Sequence, residues 1–362
     1  MDTSKIIDEY DRYRNSTLNM QASENVLSPN ARKALSSDMA SRYSLNMGKY
    51  NAYGGTRYFD QILDILKNNT NKLFDCRYSD PRILKAVEEA VKRKVDVRLM
   101  VDGRPYGING DDGTHAEINN LKKTGARVKI APDRFEKPNV FDHAKYMVSD
   151  KQAEVGTPNF TEAAFSKNRE YFTITTNKNI IQSLNKIFLS DFENKPAGEM
   201  PRKHLVVSPG SEKLLSDFIL QERKLLIETE EMGDDGEILK ALMDKGKNVR
   251  LIVPSTISST DIADIKQLKK HGVKVKYMPA EKLYMHAKMI AGRKAFIGSE
   301  NFTKTSLNRN RETGIILSGF FVVSKLKNTF SSDWRRARRS LKLAKSWTAT
   351  KSRKYGAKRT AK

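Results

Sequence analysis

Apolar side chains recur along this chain in two alternating rhythms. After Asp80 and Pro81, the residues Ile83, Leu84, Val87, Ala90 and Val91 fall three and four positions apart, which places them on one face of a predicted helix. Asp80 suits its cap, because a carboxylate accepts from orphan N–H groups, and Pro81 suits its first turn, because proline has no N–H to leave unpaired. Val95 to Val101 then predicts a strand. The same order returns later: Leu225–Ile227 predicts a strand, Ile238–Met243 a helix and Val249–Val253 another strand. Strands alternating with helices imply an α/β fold, a mixed or parallel sheet flanked by helices. In such folds reactive groups collect at strand ends and in the loops beyond them. The longest apolar run, Gly314 to Val323, is interrupted by Ser318 and Gly319 and is too short to cross a bilayer. Asp2, Lys5, Asp8 and Glu9 stand where a secretion signal would need a basic patch and an apolar stretch, so none is expected.

The chain also repeats itself. His143-Ala144-Lys145 followed by Gly156-Thr157-Pro158-Asn159-Phe160-Thr161 returns as His286-Ala287-Lys288 followed by Gly298-Ser299-Glu300-Asn301-Phe302-Thr303. Downstream, Asn168-Arg169-Glu170 answers Asn310-Arg311-Glu312, and Phe188, Asp191 and Phe192 answer Phe330, Asp333 and Trp334. Upstream, Leu121, Gly125 and Val128 answer Leu268, Gly272 and Val275. Self-similarity over this span implies two homologous units. The expected organisation is an N-terminal extension over 1–57, a first lobe over 58–195, a second over 196–334 and a basic tail over 335–362.

Composition adds a charge. The 362 residues carry 66 lysines and arginines against 43 acids, a formal net charge of +23. No acid follows Asp333, while Arg335, Arg336, Arg338, Arg339 and eight further basic residues do. Such a segment gains counterion-release entropy along a polyphosphate, which points to nucleic acid as partner; anionic phospholipid headgroups at a membrane attract the same charges and are the alternative. The one cysteine, Cys76, cannot form an internal disulfide, and a reducing, cytoplasmic setting is expected. No cysteine–histidine cluster offers four zinc ligands, so neither a metal nor a cofactor is expected. The oligomeric state stays open.

Two of only five histidines occupy equivalent repeat positions beside equivalent lysines. In extended backbone, residues i and i+2 share a face, so an imidazole and an ammonium can address one phosphate. Cleaving a phosphodiester needs a nucleophile, a proton donor for the leaving oxygen, and cationic or hydrogen-bonding groups around the non-bridging oxygens. Two histidine–lysine pairs supply all of these. His115, His204 and His271 have no repeat counterpart and no assigned role.

These motifs resemble the phospholipase D superfamily. Its HxKxxxxD signature, with a following GSxN-like segment and a later glutamate, is matched by His143, Lys145, Asp150, Gly156, Thr157, Asn159 and Glu170, then by His286, Lys288, Gly298, Ser299, Asn301 and Glu312. The resemblance covers roughly residues 58–334. It implies two lobes sharing one active site at their interface, a phosphohistidine intermediate and no metal. Carried over by position, His143 and His286 are nucleophile and acid/base, with His143 favoured as nucleophile because its motif is complete. Lys145, Lys288, Asn159 and Asn301 hold phosphate oxygens. Glu170 and Glu312 orient the histidines, against a competing reading in which they pair with the neighbouring Arg169 and Arg311. Asp150 serves mainly as support. The second copy departs at that position, where Arg293 or Gly292 stands.

Residues 20–60 resemble a different family, serine hydroxymethyltransferase, through Gln21–Asn25, Ser28-Pro29, Arg42-Tyr43 and Tyr53–Tyr58. The match covers about forty residues and implies no activity. The leading expectation is a metal-independent phosphodiesterase acting on DNA or RNA, a nuclease whose basic residues Arg335, Arg336, Arg338 and Arg339 help bind the substrate. A phospholipase D-like or cardiolipin-synthase-like phosphatidyl hydrolase or transferase is the alternative, and a lapsed nucleic-acid-binding scaffold a third.

Overall fold

The first lobe is built on β1 (Asn71–Asp75), β2 (Asp96–Val101) and β3 (Arg127–Ile130), which are mutually parallel. They are linked by helices α1 (Pro81–Lys92) and α2 (Asp111–Lys123). A computed structural model describes residues 71–75, 78–104, 111–196, 198 and 204–341; the hydroxymethyltransferase-like segment and the extension over 1–57 lie outside them. Helix α1 begins where its sequence predicts. The Asp80 carboxylate accepts from the Arg82 N–H at 2.8 Å, and Ile83, Ala86, Val87 and Ala90 are buried against the sheet.

The chain then adds three antiparallel strands to the other side of β1. These are β4 (Tyr146–Ser149), β5 (Ala153–Gly156) and, after the short helix α3 (Glu162–Ser166) and the two-residue strand β6 (Asn168–Arg169), β7 (Phe172–Thr175). The sheet order is β3-β2-β1-β4-β5-β7. Helix α4 (Lys178–Phe192) closes the lobe.

The second lobe repeats the plan. A leading strand β8 (Leu205–Ser208) and helix α5 (Glu212–Gln221) precede β9 (Leu225–Thr229), α6 (Gly236–Lys245), β10 (Val249–Pro254), α7 (Ser259–Lys270) and β11 (Lys274–Met278). Then come β12 (Tyr284–Met285), β13 (Lys288–Ala291), β14 (Ala295–Gly298), α8 (Lys304–Asn308), β15 (Glu312–Leu317) and α9 (Phe320–Arg336). The order is β11-β10-β9-β13-β14-β15-β8, with β9, β10 and β11 parallel and the rest antiparallel. The apolar run from Gly314 divides between β15 and α9. Among the described residues no helix is long and apolar enough to cross a membrane.

The lobes share a core. Tyr146, Val148, Val155, Leu184 and Phe188 of the first pack in one buried cluster with Met285, Ala287, Met289, Ile297, Ile315 and Phe330 of the second. Fully burying each of the valine, leucine, isoleucine, methionine and phenylalanine side chains contributes about 1.5–3 kcal/mol. Two ion pairs reinforce the join and repeat its symmetry. Arg311 reaches back to Asp191 on α4 at 2.7 Å, and Arg169 reaches forward to Asp333 on α9 at 2.6 Å. Both aspartates are fully buried. Arg169→Ala leaves the buried Asp333 with only Arg336, 3.9 Å away, and is expected to cost about 3–5 kcal/mol in urea denaturation. An unchanged midpoint would show that the pair does not hold the lobes together.

One boundary needs correction. The basic tail expected from 335 onward does not begin as a free segment: Arg335 and Arg336 complete α9, and Arg338 pairs with Tyr277 at the end of β11 through reciprocal backbone hydrogen bonds of 2.8 and 2.9 Å. Leu341 packs against the second lobe's core. The remainder of that tail lies outside the described residues.

Candidate active site

The two histidines stand in short extended links just before β4 and β13, and each link is paired in register with the other lobe. The His143 N–H donates to the Arg311 carbonyl at 2.9 Å, while the Arg311 N–H donates to the Phe141 carbonyl at 3.0 Å. On the opposite side β12 runs parallel to β6, with Tyr284 beside Asn168 and Met285 beside Arg169. Successive side chains in extended backbone alternate in direction. The arginine of each Asn-Arg-Glu segment therefore turns to the far lobe's aspartate, and the glutamate that follows turns the other way, to the far lobe's histidine.

The result is an exchange across the interface. His143 Nδ1 lies 2.9 Å from Glu312, and His286 Nδ1 lies 2.8 Å from Glu170. Glu312 is buried and also accepts from Ser306 Oγ at 2.7 Å and Asn310 Nδ2 at 3.2 Å. Glu170 accepts from Thr157 Oγ1 at 2.5 Å and Asn168 Nδ2 at 3.0 Å. Burial pushes both carboxyls up, but the facing histidines and the lysine ammoniums outweigh it, and both stay below the usual carboxylate range. A carboxylate on Nδ1 fixes that nitrogen as the N–H and leaves Nε2 as the nitrogen able to act on a phosphate. Neither glutamate pairs with its neighbouring arginine; both arginines are committed to the aspartates.

Both lysines are buried and turn back on their own motif. Lys145 Nζ donates to the His143 carbonyl at 2.7 Å, and Lys288 Nζ to the His286 carbonyl at 2.8 Å. Burial holds the His143 imidazole below its ordinary pKa; Glu312 pulls the other way, while the Lys145 and Lys288 ammoniums lower it further. The Lys288 effect places the second lobe's ammonium in the field of the first lobe's histidine. Asn159 sits partly buried in the loop after β5, and its repeat partner Asn301 is buried in the loop after β14.

Other expected residues fall elsewhere. Asp150 is exposed in the turn beyond β4, five residues past Lys145 and so roughly 17 Å along the strand. It stands apart from the cluster, as does Arg293 in the equivalent turn. Arg335 and Arg336 end α9, with Arg336 3.9 Å from Asp333, while Arg338 lies against the outer strand β11, three strand spacings or about 14 Å from β13. Arg338 there pairs with Glu281 at 3.1 Å. Among the described residues no hydrogen bond or ion pair joins these arginines to either histidine. His204 precedes β8, and His271 caps α7 on the surface.

Sequence reasoning missed one acidic side chain at the site. Glu230, just past β9, lies 2.6 Å from Lys288 Nζ and 3.5 Å from His286 Nε2, and accepts from Tyr284 Oη at 2.7 Å. Burial pushes Glu230 up, yet His286, Lys288 and Tyr284 hold it far below the ordinary range. It has no signature in the repeat, because no carboxylate stands at the matching place before Tyr78.

A family model for the cardiolipin synthase, PLD-like domain matches residues 64–192 and 222–334. Cardiolipin synthase of Listeria welshimeri is 33% identical over 113 residues, 31% of this chain and 22% of that protein. Serine hydroxymethyltransferase of Korarchaeum cryptofilum is 37% identical over 79 residues, 22% of this chain and 18% of that protein, a longer match than the forty residues that carry it by motif. The chain thus spans about a fifth of the length of these curated relatives. Among solved structures, polyphosphate kinase of Porphyromonas gingivalis superposes with a TM-score of 0.59 at 14% identity, covering 87% of this chain and 54% of that one. Phosphatidylserine synthase of Haemophilus influenzae gives 0.57 at 14%, covering 79% and 86%. Both are likenesses of fold.

Proposed function

This chain belongs to the phospholipase D superfamily of phosphodiester-acting enzymes, and from that premise we propose that it transfers or hydrolyses phosphatidyl groups through a phosphohistidine intermediate. The reaction divides between the two rings. His143 Nε2, neutral because its environment lowers its pKa, attacks phosphorus as the bond to the leaving oxygen breaks. His286 Nε2 gives its proton to that oxygen. In the second half His286 takes the proton of an incoming hydroxyl, from water or an alcohol, which attacks phosphorus and expels His143. Lys145, Lys288, Asn159 and Asn301 hold the non-bridging oxygens, where charge is redistributed in the transition state.

The observation that carries the chemistry is the crossed pair of carboxylate–imidazole contacts, His143 with Glu312 and His286 with Glu170. The similarity to cardiolipin synthases supports a phospholipid substrate. The net charge of +23 is compatible with that choice, since an anionic lipid surface draws basic segments. The same charge favours a second reading, nuclease action on DNA or RNA.

One assay separates them. Purified protein in excess chelator is given phospholipid in mixed micelles, and separately single- and double-stranded oligonucleotides. Released headgroup or transferred phosphatidyl without oligonucleotide cleavage is expected. Oligonucleotide cleavage alone would overturn the lipid reading, and salt-dependent binding without turnover of any diester would make the chain a scaffold.

A further inference from the structure

The two halves of the site are chemically unequal, and the inequality lies in the turn after β9. The Glu230 N–H donates to the Ala287 carbonyl at 3.0 Å, which fixes this turn against the second histidine–lysine segment. Its carboxylate bridges Lys288 and His286 Nε2, and its neighbour Glu231 accepts from Asn301 Nδ2 at 3.0 Å. Both phosphate-holding groups of the second lobe thus already face carboxylates. In the first lobe, among the described residues, no carboxylate lies within ion-pair distance of Lys145. Asn301 is more than nine-tenths buried, and its Oδ1 has no hydrogen-bond partner. It leaves an unfilled acceptor beside Glu231, whose carboxyl burial pushes up to about 7.

A diester placed between the rings is therefore drawn by its phosphoryl oxygens toward Lys145. Its leaving alcohol lies on the His286 side, beside the Glu230 carboxylate and the unfilled Asn301 Oδ1. The geometry points to Glu230, with Glu231 and Asn301 Oδ1, as the element that selects the leaving and incoming alcohol. It favours one bearing an ammonium group, accommodates a neutral hydroxyl compound, and opposes one bearing a phosphate. This inference rests on the phosphatidyl reading and narrows it to headgroup charge. Glu230 keeps 18% of its side chain exposed while Glu312 keeps none, as expected of a group that meets substrate rather than one that orients a ring.

The test compares kcat/KM for phosphatidylethanolamine, phosphatidylglycerol and phosphatidylglycerol phosphate at trace level in neutral detergent micelles. Wild type, Glu230→Gln and Glu230→Asp are used, each checked for an unchanged thermal midpoint. Wild type prefers the ammonium headgroup over the phosphorylated one. Glu230→Gln narrows that ratio about tenfold, the effect of removing one charge several ångströms away in a partly solvated cleft, and Glu230→Asp preserves it. Lipid turnover with the same ratio in wild type and Glu230→Gln overturns the selection and leaves phosphatidyl transfer standing. If wild type cleaves only oligonucleotides, phosphatidyl transfer falls. The selection then survives only if Glu230→Gln cleaves them faster, because the leaving strand is anionic.

Discussion

Replacing His143 with alanine is expected to remove about 10⁴-fold or more of turnover, on the order of 5.5 kcal/mol of barrier at 1.36 kcal/mol per decade. The size follows from the chemistry assigned to the ring. Without Nε2 there is no covalent intermediate, and direct attack by water must find its own orientation and its own base. The fold should survive, since His143 keeps 29% of its side chain exposed and its backbone, not its ring, makes the contact to Arg311. A melting curve like that of wild type with turnover gone is the expected pair of results. Turnover within tenfold of wild type would remove His143 from the mechanism.

Glu312→Gln is expected to act through His143 from the opposite lobe, lowering kcat about 10²-fold. The carboxylate accepts from Nδ1–H and is itself held by Ser306 and Asn310. A glutamine amide turned the other way would donate to Nδ1 and leave the proton on Nε2, the tautomer that cannot attack. The pH profile distinguishes this from loose packing. Glu312 raises the His143 pKa against the lowering by burial and the lysines. Removing its charge lowers that pKa further, so the acid limb of kcat/KM moves to lower pH even as the maximum falls. A limb that stays in place, or moves up, would assign Glu312 a packing role alone.

Much of this arrangement was legible in the sequence because the signal is doubled. One histidine two residues before a lysine has little meaning, but the recurrence of His143-Ala144-Lys145 with its asparagine and glutamate flanks fixes two halves and one kind of chemistry. Which half serves which could not be read. A linear pattern places Glu170 nearest His143, whereas the parallel pairing of β12 with β6 brings it to His286. The competing reading, that each glutamate pairs with the arginine before it, fails because adjacent residues in extended backbone point apart. Asp150, expected as a support, stands beyond the end of β4 because the strand between Lys145 and Asp150 runs away from the histidines. Glu230 was hidden because only one half has it, and a search for repeats passes over what breaks the repeat.

The most direct test of the account is to trap the covalent species. His286→Ala lacks the group that protonates the leaving oxygen and later activates the incoming hydroxyl, so a diester with a leaving group that needs no proton, bis(p-nitrophenyl) phosphate, should react once and stop. One equivalent of p-nitrophenol released in a burst is expected. An acid-labile, base-stable phosphoryl adduct should map by mass spectrometry to the peptide containing His143, and the His143→Ala, His286→Ala double variant should show neither. A steady release without a burst, or an adduct on any other residue, would contradict it.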